Sequence, residues 1–147
     1  MVEFQGDIVA AYEDVRNDKT PTNWLLLDYI DDKSDVLFVS ATGAGGLDEL
    51  REHLKPEKAS FGYLRMTIGN DELSLRQKFV LISWCGPQVK VMRKAKLAVH
   101  IADVKGIIKS FAVEIAGSTS EDLSDKEVKL KVQKAMGANY DRQASQY

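Results

Sequence analysis

One α/β domain, built on a single mixed sheet of five to six strands with helices on both faces, is the architecture this chain predicts. Three observations lead there. A length of 147 residues fits one domain. Helix-like and strand-like stretches alternate from end to end: helix, hairpin, helix, two strands, long helix, strand, helix. No repeat, low-complexity tract or linker breaks the series, so the domain is expected to span residues 1–137, followed by a polar tail over 138–147.

The elements follow in order. Asp7 is placed to cap a first helix that runs to about Asn17, with Ile8, Ala11, Tyr12 and Val15 on one face. "NDKTPTN" is a turn broken by Pro21. Trp24–Ile30 reads as a strand and Val36–Ala41 as its hairpin partner across "DDKSD". "TGAGG" is a loop, and Leu47–Leu54 a short helix stopped before Pro56. Phe61–Ile68 is a third strand, alternating Tyr63 and Arg65 against Leu64 and Met66. "GNDE" turns the chain into "LRQKFVLISWCG", whose apolar run Phe79–Cys85 reads as a buried strand with Arg76 and Lys78 at its mouth. Residues 88–101 and then about 102–110 read as two helical stretches, and 111–116 as a strand. Ser124 and Glu127 form a capping box for a last helix. Val128, Val132, Ala135 and Met136 share one face of it, and Gly137 fits its C′ position.

Composition narrows the function. Hydrophobic content of 44% and charged content of 29% are those of an ordinary globular chain, long enough to bury about 68–70% of its unfolded surface. A formal net charge of −2 argues against a dedicated nucleic-acid binder. Cys85 is the one cysteine, so no internal disulfide forms and a reducing cytoplasm is the expected setting. The opening "MVEFQGDIVA" lacks the features of a signal peptide, and no apolar run reaches the roughly 20 residues of a membrane span. The mean charge hides a gradient, from −8 over residues 1–72 to +7 over residues 73–109 and −1 thereafter. A solvated face is the ordinary meaning of such a cluster; the sharper one is a patch that meets an acidic protein, an anionic lipid or a nucleic acid.

The helix at 88–101 carries much of that charge. On a wheel of 100° per residue, Val91, Met92, Ala95, Ala98 and Val99 share the arc expected to face the core. Lys90, Arg93, Lys94 and His100, with Lys96 at the edge, are expected to face out and to surround Leu97 and Ile101. An apolar centre inside a cationic rim is the pattern of a protein contact; a kink that buries Leu97 and Ile101 is the alternative.

Motifs for chemistry are wanting. "TGAGG" lacks the third glycine of a dinucleotide loop and the Lys-Ser/Thr of a phosphate loop. His53 and His100 have no metal-ligand spacing, Cys85 has no His partner nearby in sequence, and the early Asp residues fall in turns and caps. No acid/base pair stands out, so the chain reads as a non-enzyme without cofactor or metal.

"RQKFVLISWCGPQVKVMRKAKLAVHIADVKGIIKSF" resembles the second half of an ADF/cofilin-homology (ADF-H) domain. "KAMGANYD" is similar to the C-terminal "GANYD" of coactosin-like proteins, and "AAYEDVRNDKTPTNWLLLDY" to their first helix and strand. The resemblance covers about Asp7 to Asp141. It implies a single ADF-H domain, a mixed central sheet between helices, that binds the side of filamentous actin; a monomer in the cytoplasm is expected beside it. It also implies opposition to barbed-end capping rather than severing or depolymerisation. By resemblance, the filament contacts fall on Lys78, on Arg93, Lys94 and Lys96 of the long helix, and on Lys105; the strand mouth adds Arg76, and the helix wheel adds Lys90, Leu97 and Ile101. "MVEFQG" has no serine for the phosphorylation switch of cofilins, and Leu75 stands where coactosins often place a basic residue. The rival readings are a cofilin-like monomer binder and severer, and a surface for acidic phospholipids such as phosphoinositides drawn to the +7 segment.

Overall fold

The computed structural model of the chain describes residues 2–69 and 76–145, with side chains through residue 135. The expected turn at Asn70–Glu72, Leu75, the Met136 side chain and the last two residues of the tail lie outside it.

The strands are β1 (Glu3–Gln5), β2 (Trp24–Tyr29), β3 (Val36–Gly43), β4 (Ala59–Ile68), β5 (Arg76–Cys85) and β6 (Val113–Gly117). They form one sheet in the order β1-β3-β2-β4-β5-β6. The four inner strands are antiparallel, while β1 joins β3 and β6 joins β5 in parallel. The helices are α1 (Ile8–Arg16), α2 (Gly46–Glu52), α3 (Val91–Ile107) and α4 (Asp125–Ser145), with a 3-10 turn at Ser120–Leu123. A parallel β5–β6 pair needs a long crossover, and α3 supplies it.

Each face of the sheet has its own core. Leu25, Leu27, Phe61, Tyr63 and Leu81 meet Tyr12 and Val15 of α1 and Leu97 and Val104 of α3. On the other face Trp24, Leu26, Leu64, Val80 and Ile82 meet Leu50 of α2 and Val128 and Val132 of α4. Burial on both sides explains why "WLLL" is unbroken rather than alternating. The caps follow from chemistry. Asp7 accepts the Ala10 amide at 2.9 Å, and Ser124 Oγ accepts the Glu127 amide at 3.3 Å. Arg65 donates to the carbonyls of Val15, Asn17 and Thr20 at 3.1, 2.8 and 3.0 Å, closing the end of α1.

Four features differ from the sequence expectation. β1 is a three-residue edge strand, too short to show a period. Two expected helical stretches at 88–110 are one continuous helix, α3. β5 begins at Arg76, so Arg76 and Lys78 lie inside the strand instead of before it. α4 continues through Gly137, where the glycine was expected to end it.

Candidate functional site, a two-faced protein-contact surface

The phase of α3 is the reverse of the one its charges predict. Leu97 is 7% exposed, and His100 and Val104 are buried with it against the α1 side of the sheet. Ile101 is half-buried and packs on the same core. Val91, Met92 and Val99, expected inside, are 80%, 74% and 63% exposed. Ala95, Ala98 and Ala102 are exposed beside them.

Buried polar chemistry causes the reversal. Arg93 Nη1 lies 3.1 Å from Asp35 Oδ1, and Lys96 Nζ lies 3.2 Å from Asp35 Oδ2. Arg93 also donates to the carbonyls of Asp31 and Ser34, and its guanidinium lies 3.8 Å from the centre of the Tyr29 ring. His100 Nδ1 is 2.6 Å from the Tyr29 hydroxyl, Oη, so both residues are satisfied inside the fold. These bonds pin the inner face of α3 to the β2–β3 turn. The pinned groups titrate accordingly. Burial pushes His100 below its ordinary value and Tyr29 up to about 12. For Asp35, burial acts upward but is outweighed by Lys96, His100 and Arg93, which leave the carboxyl below its usual range.

Of the cations expected to meet a partner, Arg93 and Lys96 are therefore paired internally, and Lys105 Nζ lies 2.5 Å from Glu114 Oε1. Lys90 and Lys94 are exposed at the start of α3 and have no ion-pair partner among the described residues. The outward surface of α3 is thus an apolar strip with lysines at one end.

Arg76 and Lys78 belong elsewhere. β2 follows β4 only to the pair Trp24–Leu64, and β6 follows β5 only from Val80–Val113. Beyond those pairs β4 and β5 continue as a two-stranded arm, with Met66 opposite Lys78 and Ile68 opposite Arg76. Alternation along β5 puts Arg76 and Lys78 on the side of Val80, Ile82 and Trp84, which is the α4 side. α4 adds the exposed residues Lys126, Lys129, Leu130 and Lys134 to that side. The periodicity of α4 reports only its buried stripe of Val128 and Val132, so no sequence signal marks this second cluster. The predicted residues therefore divide between two faces of one sheet.

A match to the family described as cofilin/tropomyosin-type actin-binding protein extends over residues 1–133. The coactosin of Dictyostelium discoideum is 40% identical over 135 residues, which is 91% of this chain and 90% of that protein. The crystal structure of coactosin from Entamoeba histolytica superposes with a TM-score of 0.83 at 27% identity, covering 92% of this chain and 97% of that one. Human coactosin-like protein gives 0.82 at 25% identity, covering 91% and 99%. The chain belongs to the cofilin/tropomyosin-type actin-binding family.

Proposed function

We propose that this protein is a non-enzymatic, monomeric binder of the side of filamentous actin, acting in the cytoplasm in the coactosin manner. In this reading it opposes barbed-end capping without severing or depolymerising filaments. The observation that carries the proposal is the outward strip of α3, where Val91, Met92 and Val99 stand in water although the chain has ample core to bury them in. An apolar centre supplies affinity, and Lys90 and Lys94 at its end supply attraction to an acidic partner. The arm with Arg76 and Lys78 lies on the other side of the sheet and offers a second contact. Two contacts that point apart suit a polymer whose subunits repeat better than a single monomer.

Co-sedimentation with filamentous actin tests this, with actin measured in both pellet and supernatant. The protein is expected in the pellet with no rise in supernatant actin. Actin moving to the supernatant would favour the cofilin-like reading. The phospholipid reading draws less support, because Arg93, Lys96 and Lys105 spend their charge on Asp35 and Glu114.

A further inference from the structure

A cleft of about 570 Å³ opens at the end of the sheet away from the arm, between the turn after β2, the residues before β4 and the start of α3. Tyr29, Phe38, Val89 and Met92 line it with apolar surface, and Asp31, Asp32 and Glu57 bring carboxylates to it. Asp28 also lines it, and Asp28 is 7% exposed. The Asp28 carboxylate accepts hydrogen bonds from Ser40 Oγ at 2.5 Å and from Ser60 Oγ. Both donors are neutral. No lysine, arginine or histidine nitrogen reaches Asp28 within ion-pair distance among the described residues. A buried carboxylate is ordinarily matched by a cation, so Asp28 is hydrogen-bonded but not charge-matched.

The other charges of the cleft do not change this. Arg93 is committed to Asp35 and the Tyr29 ring. Lys58 and Lys90 are exposed side chains at the cleft. The carboxylates do not converge into a set able to hold a metal ion among the described residues. The cation that fits is therefore an extended organic one, a charged head on an apolar stem.

We infer that this cleft receives an arginine side chain presented by a protein partner, with the guanidinium on Asp28 and the stem against Phe38, the residue paired with Asp28 on the same face of the sheet. A planar guanidinium pairs a carboxylate through two parallel bonds, and the volume suits one long side chain with part of its flanking backbone. The site is separate from the arm and overlaps the outward surface of α3 only at its start, at Lys90 and Met92. It therefore does not depend on the actin reading.

The test uses the full-length, isotope-labelled chain and two probes: N-acetyl-arginine amide and its neutral isostere N-acetyl-citrulline amide, titrated by NMR. The arginine probe is expected to shift the amides of residues 28–32, 57–59 and 88–90, at least tenfold more tightly than citrulline. Asp28→Asn keeps the size, lets its amide oxygen accept from one serine hydroxyl and its NH2 donate to the other, and should remove that preference. Should Asp28→Asn unfold, the surface variant Asp32→Asn/Glu57→Gln, which leaves both cores untouched, should weaken the arginine probe about threefold. Equal binding of the two probes, shifts that map elsewhere, or unchanged arginine binding in the variants would overturn the assignment.

Discussion

Leu97 and Val99 are two positions apart on one helix, yet the structure gives them opposite tasks. Leu97 is packed into the core between α3 and the sheet. Leu97→Ala should cost about 2–5 kcal/mol, seen as a clear fall in the thermal midpoint. Val99→Ser should leave the midpoint within about 2 °C, because surface substitutions stay within roughly ±0.5 kcal/mol. It should still weaken actin co-sedimentation several-fold. A stable Leu97→Ala protein would show that the helix is turned the other way. His100 makes a second prediction. Its folded pKa lies below the ordinary 6.5 because it is buried, so the unfolded chain takes up a proton that the folded chain refuses. Stability is then present above about pH 6.5 and declines as pH falls through that value. Asp35 acts in the same direction at lower pH: its folded pKa is depressed, and its contribution is lost as pH falls through that pKa. Melting curves from pH 7.5 to 5.5 should show a falling midpoint. His100→Gln, whose amide can still hydrogen-bond the Tyr29 hydroxyl, should flatten that fall. An equally steep fall in the variant would remove His100 from the explanation.

Among the elements, every strand but the three-residue β1 is legible because the signal is local. β2 and β5 announce themselves as apolar runs, and α1 by Asp7 and its stripe of Ile8, Tyr12 and Val15. α3 was not legible in phase. Its wheel holds branched or apolar residues on both sides, and the rule that cations face water selects the wrong one. What turns the helix is Asp35, at least 58 residues from the side chains it holds, and no window along the chain contains that pair. The arm was half legible: the cations were seen, but not that β4 and β5 outrun their neighbours, which depends on where β2 and β6 stop pairing. That geometry makes Lys78 a prediction about an element. Lys78 pairs across the arm with Met66 and has an exposed neighbour in Gln77. Lys78→Ala should sharply reduce pelleting with actin and leave the thermal midpoint nearly unchanged. A midpoint that falls in step with binding would make the lysine a structural part of the arm.

Across the molecule, the charge gradient changes meaning once the fold is known. The +7 of residues 73–109 is not one patch. Part of it is cancelled against the acidic first half, through Asp35, and part against Glu114. What is left is Lys90 and Lys94 at the start of α3, Arg76 and Lys78 on the arm across the sheet, and Lys109 just past the end of α3. The α3 strip and the arm should respond differently to salt. On α3 the uncharged side chains Val91 and Val99 should contribute equally at every ionic strength. The arm and α4 contribute exposed lysines and Arg76, whose attraction fades beyond about 8 Å at physiological ionic strength. Pelleting with filaments should therefore weaken as salt rises from low to physiological levels, and the slope should be shallower in Arg76→Ala/Lys78→Ala than in the parent chain. Val91→Ser/Val99→Ser should lower affinity at every salt concentration with the slope unchanged. If instead the α3 variant loses the salt slope and the arm variant keeps it, the steering charge lies at Lys90 and Lys94, and the arm is not a filament contact.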